Sequence, residues 1–110
     1  MRKWKEKMLP MLTENVDFQI TRALTGEEMF VLSQGHSPLE MEDKWFSFFE
    51  EGKLYIGRSW TGYCIYIVSF DNATNIHNVT VNRNPNQYRN TSTERDIEIV
   101  DCLLKRWSHS

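Results

Sequence analysis

Six consecutive residues, Arg58-Ser59-Trp60-Thr61-Gly62-Tyr63, bring together side chains that bind anions and aromatic rings. Arginine presents a planar fork of donors that fits phosphate and carboxylate groups. A threonine hydroxyl and the backbone beside a glycine can add hydrogen bonds to an anion, and indole or phenol rings can stack on a nucleobase. The stretch therefore predicts a site for a nucleotide-like ligand. The predicted binding residues here are Lys44, Arg58, Ser59, Trp60, Thr61, Gly62 and Tyr63.

The same stretch has a purely structural interpretation, which the sequence leaves open. Trp60 would then belong to the core, and Thr61-Gly62 would be a plain turn. Arg58 follows an apolar row of its strand, where an unpaired buried guanidinium is too costly. It must reach water, a ligand anion, or a carboxylate such as Glu50 or Asp43.

A second polar stretch, residues 82–90, is rich in side-chain amides and arginines. Amides, guanidinium groups and a phenol could bind the polar edge of a ligand, so Asn82, Arg83 and Tyr88 join the predicted site. The alternative is a solvated loop that leads into a helix. In a meander, this loop and the Thr61-Gly62 turn would lie at the same end of the sheet.

The acidic residues near the centre of the chain have no spacing specific for catalysis or for a metal, and we interpret them as a solvated face. They are Glu40, Glu42, Asp43, Glu50 and Glu51. The sequence contains no P-loop, GxGxxG or nucleophile elbow. We therefore predict no catalytic residue, no metal ligand and no cofactor.

Three apolar, aromatic-rich runs position the first cluster: Lys44–Glu50, Lys53–Trp60 and Tyr63–Phe70. Short breaks at Glu51-Gly52 and Thr61-Gly62 separate them, which predicts strands joined by tight turns. The first run has aromatics on both faces, which predicts an interior strand. The third is apolar on both faces and should be the most buried.

The flanking regions predict further elements. Residues 1–14 are interpreted as a short helix, 16–24 as a strand, 25–28 as a turn, 29–32 as a second short strand and 76–81 as another strand.

The C-terminal region predicts a helix. Thr91 and Glu94 fit a capping box that starts it, and it should run to about Trp107. Its apolar stripe comprises Ile97, Val100, Leu103, Leu104 and Trp107. The predicted fold class is α+β, a mostly antiparallel sheet of four to six strands with the C-terminal helix packed on one face.

Composition bounds the function classes. A chain of 110 residues predicts a single domain, with residues 40–107 forming the central sheet and helix. A net charge of −2 provides no global basic field, so nucleic acid is not an expected partner. Two cysteines without a CxxC and three scattered histidines predict no zinc site, and both thiols are expected to be buried. Without a signal peptide or membrane-length apolar run, the expected location is the cytoplasm.

The chain resembles a small bacterial and phage family with a DKWF…LY…RSWTGxCIY signature. The resemblance is carried by Asp43-Lys44-Trp45-Phe46, Leu54-Tyr55 and 58–66, with 81–85 and Gln87-Tyr88 further on. It covers roughly residues 40–107, and residues 1–40 lie outside it. We associate this family with proteins of ADP-ribose and NAD metabolism, such as ADP-ribosylglycohydrolases. The resemblance implies a ligand class and leaves the activity open.

The resemblance implies Arg58 and Arg83 as phosphate contacts and Trp60 or Tyr63 as the stacking surface. The leading hypothesis is a non-catalytic module that binds ADP-ribose or an NAD-derived signal and could sequester it in phage–host conflict. One alternative is a protein-binding inhibitor, immunity or anti-defence factor. Another is a hydrolase of an ADP-ribosyl bond with Glu50 or Asp43 as general base. The sequence leaves open whether the chain forms a homo-oligomer.

Overall fold

A computed structural model describes residues 6–38 and 43–109. In this part of the chain, seven elements follow one another: β1 (Asn15–Thr21), α1 (Gly26–Ser33), β2 (Trp45–Glu50), β3 (Lys53–Arg58), β4 (Cys64–Ser69), β5 (Ile76–Asn82) and α2 (Thr93–Trp107). The predicted α+β class is confirmed, with an antiparallel sheet of five strands and a C-terminal helix.

The strand order is β1-β5-β4-β3-β2, so β2 to β5 form a meander and β1 adds beside β5. Trp45 at the start of β2 is the cross-strand partner of Arg58 at the end of β3. Cys64 at the start of β4 and Asn82 at the end of β5 lie at the same end of the sheet. We call this the site end, because it brings the β3–β4 turn and the 83–92 loop together as predicted for a meander.

The amphipathic stripe of α2 packs on one face of the sheet, as the sequence predicts. Val100, Leu103, Leu104 and Trp107 are buried, while Ile97 is exposed. They join a core with inward side chains of the strands, including Ile56, Tyr66, Val68, Val79 and Val81. The helix cap lies one residue later than predicted, because the Ser92 side chain accepts from the Arg95 backbone N–H.

Strand β4 lies at the centre of the sheet and is mostly buried, as expected. The prediction of an interior position for β2 is wrong, because β2 is the edge strand. Among the described residues, its outer edge pairs with His36 alone: the His36 N–H donates to the Ser47 carbonyl at 3.1 Å, and the Ser47 N–H donates to the His36 carbonyl at 2.9 Å. Aromatics occur on both its faces because one faces the core and Phe48 on the other stacks on Tyr55, with ring centroids 4.8 Å apart.

The predicted short strand at 29–32 is wrong, because these residues belong to α1. The predicted turn before it is the start of this helix. Thr25 is the N-cap: its hydroxyl accepts from the Glu28 N–H at 3.1 Å, and the Glu28 carboxylate accepts from the Thr25 N–H at 2.9 Å. This capping box satisfies two backbone donors that the first turn of a helix leaves free.

The opposite face of the sheet carries the N-terminal segment. Residues 1–5 of the helix predicted over residues 1–14 lie outside the described residues; of residues 6–14, only 6 and 7 are helical. The Leu9 N–H donates to the Gly62 carbonyl at 2.8 Å. A shallow apolar hollow follows, lined by Met8, Leu9, Pro10, Met11, Phe48, Tyr55, Cys64 and Ile67. No helix within 6–38 or 43–109 is long and apolar enough to cross a membrane.

The two cysteines are both free thiols, but they differ in exposure. Cys64 is buried as expected, whereas the prediction of a buried Cys102 is wrong. Cys102 lies on the solvent side of α2, next to the buried stripe rather than in it. Its apolar sequence neighbours belong to the buried stripe, so they do not indicate that the Cys102 thiol itself is buried.

Alkaline pH should destabilise the protein through Cys64. Burial raises the pKa of this thiol to about 12, whereas a thiol in an unfolded chain has a pKa of about 8.5. Between these values the unfolded chain has released a proton that the folded protein retains, so stability falls as pH rises. The expected loss is up to about 1.4 kcal/mol per pH unit above about pH 9.

Urea denaturation of the wild type and Cys64→Ala at a series of pH values checks this expectation. Burial also raises the pKa of Tyr66 and Tyr88, so both proteins lose stability at high pH. The wild type should lose more per pH unit than the variant between about pH 9 and 11. Equal slopes would show that Cys64 does not contribute.

Candidate functional site

The β3–β4 turn is closed by backbone hydrogen bonds. The Arg58 N–H donates to the Tyr63 carbonyl at 3.0 Å, and the Gly62 N–H donates to the Arg58 carbonyl at 2.9 Å. Gly62 adopts a φ of +79°, a conformation that side chains with a Cβ rarely take. The turn therefore holds Ser59, Trp60 and Thr61 at the site end in one backbone conformation.

Arg58 is half-buried and lies on aromatic rings. Its guanidinium carbon is 4.4 Å from the centroid of the Trp45 ring and 5.8 Å from that of Tyr88. Such contacts attract a cation electrostatically and hold the guanidinium beside the rings. Among residues 6–38 and 43–109, no carboxylate lies within ion-pair distance of it.

This arrangement bears on the structural interpretation of Arg58. The Asp43 carboxylate is hydrogen-bonded to His36 Nε2 at 2.7 Å. Glu50 is the cross-strand partner of Lys53, at the other end of β2 from Arg58. Neither carboxylate is therefore the ion-pair partner of Arg58 that this interpretation requires.

Trp60 does not belong to the core, because 72% of its surface is exposed. Lys44 and Thr61 are also exposed, and Tyr63 is half-buried. The Ser59 N–H donates to the Lys44 carbonyl at 2.9 Å, which places Lys44 next to the turn. The side chains of Lys44, Trp60 and Thr61 thus meet solvent at the site end, where Arg58 ends β3.

Ser59 and Gly62 support the turn from within. Both are buried, and the Ser59 hydroxyl donates to the Asp43 carbonyl at 2.8 Å. The Lys7 ammonium donates to the Ser59 carbonyl, and Gly62 accepts from Leu9. These contacts tie the turn to the N-terminal segment, so Ser59 and Gly62 position the exposed residues rather than extend the exposed surface.

The 83–92 loop folds back onto the sheet through Asn82, which is fully buried. Its side-chain amide donates to the Cys64 carbonyl at 3.0 Å and to Gln87 Oε1 at 2.8 Å. Its amide oxygen accepts from the Asn84 N–H at 2.8 Å. Every polar atom of this side chain is therefore used within the protein, and the beginning of the loop is fixed to β4.

A fully buried carboxylate, Asp96, lies beneath the same loop. It accepts from the Tyr66 hydroxyl and from Asn90 Nδ2, each at 2.8 Å, and it forms an ion pair with Arg83. The hydroxyls of Tyr66 and Tyr88 are 2.7 Å apart. We call Tyr66, Arg83, Tyr88, Asn90 and Asp96 the Asp96 cluster.

Two predicted ligand residues, Arg83 and Tyr88, have their side chains engaged within the Asp96 cluster. The Arg83 side chain is 14% exposed and paired with Asp96, so a ligand phosphate would have to compete with a buried carboxylate for it. Tyr88 is buried, and its ring lies beside the Arg58 guanidinium. The cluster thus connects α2 and the loop to the ring against which Arg58 packs.

Sequence reasoning missed Asp96 and His36. A signal for Asp96 was present, because it precedes Val100 by four residues and Leu103 by seven, so it lies on the apolar stripe of α2. A carboxylate on a buried stripe needs partners. His36 stacks on Trp107 with ring centroids 4.8 Å apart, and no local pattern indicates this contact.

The acidic residues provide no metal centre within the described residues, where no group of three or more His, Cys, Asp or Glu side chains is arranged to hold one. Glu40 and Glu42 lie outside the described residues. Glu51 is exposed, and Asp43 and Glu50 are half-buried.

The arrangement at the site end combines a flat cation, an ammonium group and an exposed indole, which suits a ligand with both anionic and aromatic parts. No protein-family model, curated protein or solved structure matches the chain. The ligand class must therefore come from the chemistry of these side chains.

Proposed function

We propose that the protein is a non-catalytic module that binds a nucleotide-like ligand, ADP-ribose or a related NAD-derived signal, at the β3–β4 turn. The observation that carries the proposal is the Arg58 guanidinium, which lies on Trp45 beside Tyr88 without a carboxylate partner in the described residues. A pyrophosphate would supply the missing anion. Sequestration of such a signal in phage–host conflict is the biological role we infer.

The two charges and the indole have separate roles in this proposal. Arg58 and Lys44 neutralise the pyrophosphate. The ring contacts of Arg58 already restrict its side chain, so little side-chain entropy is lost on binding. Trp60 stacks on the base, an interaction of about 1–3 kcal/mol in other proteins. Arg83 acts indirectly, because its ion pair with Asp96 fixes the cluster that contains Tyr88.

Titration calorimetry with ADP-ribose, NAD and cyclic ADP-ribose derivatives tests the proposal. Arg58→Ala should weaken binding by about 10- to 150-fold, because a charged hydrogen-bonding group is worth about 1.5–3 kcal/mol. Arg106→Ala is the matched control. Arg106 is an exposed arginine in the last turn of α2, at the opposite end of the helix from the site end. Absence of heat with every ligand on folded wild-type protein would contradict the proposal.

A second candidate function is binding to a protein, as an inhibitor or as an immunity or anti-defence factor. The exposed indole of Trp60 favours it, because tryptophan and arginine dominate protein–protein hot spots. A stoichiometric protein partner that Arg58→Ala releases, together with no heat from any nucleotide, would select this function.

The hydrolase alternative loses one of its two candidate bases. Glu50 lies at the far end of β2 and does not reach the β3–β4 turn. Asp43 remains near the turn through the hydrogen bond from Ser59, with its carboxylate on His36. Turnover of an ADP-ribosylated substrate that Asp43→Asn abolishes would support a hydrolase over a binding module.

A further inference from the structure

The two edge strands of the sheet, β2 and β1, differ in the hydrogen bonding of their outer backbone groups. The outer edge of β2 exchanges two backbone hydrogen bonds with His36. The outer edge of β1 has no hydrogen-bond partner within residues 6–38 and 43–109, since β1 pairs only with β5. An open edge of this kind is a template for another strand.

Two hydrogen bonds beyond the ends of β1 show which of its backbone groups face outward. The Arg22 N–H donates to the Asn75 carbonyl, and the Arg83 N–H donates to the Glu14 carbonyl, at 2.9 and 2.7 Å. Both fall on the β1–β5 register, in which hydrogen-bonded pairs alternate. The even-numbered residues of β1 therefore bond to β5. The outward groups belong to Asp17, Gln19 and Thr21.

The edge lacks the features that usually prevent strand addition. Its seven residues pair with β5 without a register shift, and they include no Pro, Lys or Arg. The only charged residue is Asp17, whose carboxylate accepts from the Thr80 hydroxyl at 2.7 Å. Charged side chains, proline and bulges are what monomeric sheets use to protect their edges. This edge is regular and open to pairing.

We propose that the protein forms a homodimer in which β1 pairs with β1 of a second copy, antiparallel and centred on Gln19. In this register Gln19 faces its own copy, Asp17 faces Thr21 and Phe18 faces Ile20. Every outward N–H of Asp17, Gln19 and Thr21 then meets a carbonyl of the partner strand. The proposal is independent of the ligand proposed above.

Charge and hydrogen bonding favour this register over those centred on Asp17 and Phe18. A register centred on Asp17 would place two carboxylates opposite each other, which is unfavourable. One centred on Phe18 would require the Asn15 N–H, which already donates to the Thr13 carbonyl at 3.0 Å. The strand is thus complementary to itself, which identifies a second copy as the partner.

Apolar side chains along the same edge support the interface. Val16 of β1 and Ile97 of α2 are both exposed. Asp101, one helical turn after Ile97, forms an ion pair with Arg22 just beyond β1, so this side of α2 runs along the open edge. A two-fold axis perpendicular to the sheet would place both α2 helices on the same face. Burial of Val16 and Ile97 at the dimer interface would then add to the backbone hydrogen bonds.

Disulfide trapping tests the register, with Cys102→Ala as background because that thiol is exposed. Cα atoms of a hydrogen-bonded antiparallel pair are about 5.5 Å apart, within the range of a disulfide. Gln19→Cys should therefore form a covalent dimer on mild oxidation. Asp17→Cys is the control, because its two copies would lie roughly 14 Å apart along the strands. Equal yields from both variants would overturn the register.

Sedimentation equilibrium tests the dimer itself. The wild type should reach twice the 13.1 kDa of one chain. Gln19→Pro removes an outward N–H and leaves the β5 ladder intact, so it should weaken dimerisation by about 100-fold with an unchanged circular dichroism spectrum. A wild type that stays monomeric up to about 1 mM, well above useful dimer affinities, would overturn the proposal. So would a dimer that Gln19→Cys fails to trap.

Discussion

Asp96→Asn should lower the free energy of unfolding by about 3–5 kcal/mol, because it leaves a buried charge without its partner. Asp96 is completely buried and forms an ion pair with Arg83, whose side chain is also largely buried. An asparagine would also point amide protons toward donors such as the Tyr66 hydroxyl. A loss of this size is a large part of the stability of a small domain. Urea denaturation measures it.

Asp101→Asn is the matched control on the same helix. Asp101 also forms an ion pair with an arginine, Arg22, at 2.8 Å, but half of its side chain is exposed. Exposed pairs contribute about 0–1 kcal/mol. If the two substitutions cost the same, burial of the Asp96 cluster would not be what makes it stabilising.

Gly62→Ala should destabilise the protein by about 3 kcal/mol, because strain and a steric clash add together. Gly62 has a φ of +79°, and a Cβ there would lie 2.7 Å from the carbonyl oxygen of Lys7. That oxygen belongs to the backbone, so the N-terminal segment would have to move. The hydrogen bond from the Leu9 N–H to Gly62 would be lost with it. Thermal denaturation should show the loss.

Gly52→Ala separates the two contributions. Gly52 also has a φ of +79°, but no atom lies within 4 Å of where its Cβ would be. Only the conformational cost, about 1 kcal/mol, should remain. A Gly52→Ala variant as unstable as Gly62→Ala would mean that the contact with Lys7 is unimportant.

The strands of the meander and α2 could be predicted because their apolar residues repeat with periods that belong to strands and helices. Helix α1 could not be found in this way, since the apolar run Met29–Leu32 is too short to distinguish the two periods. Its capping box at Thr25 and Glu28 was the available signal. The edge position of β2 was missed because both of its faces carry packed aromatics, as an interior strand would, and local sequence does not show how many neighbouring strands a strand has.

The candidate site divides along similar lines. The glycine between two strands predicts a turn next to Arg58 and Trp60. It does not predict which side chains surround these two residues. The sequence of the polar 82–90 stretch is compatible with a solvated loop and with a buried one, because side-chain amides form hydrogen bonds to one another as readily as to water. Only the packed fold decides that Asn82 is buried and that Arg83 is paired with Asp96.

The position of β1 has a consequence for the order in which the chain acquires its structure. Asn15 of β1 is the register partner of Asn82 of β5, so β1 can pair only after β5, the last of the five strands along the chain, has been synthesised. The four strands from β2 to β5 are connected by short turns. Closing these turns costs far less chain entropy than pairing β1 with the distant β5. We therefore expect nucleation in the meander, with β1 recruited late. Until then its hydrogen-bonding groups are unsatisfied along both sides, which makes the nascent chain most prone to misassembly during this interval.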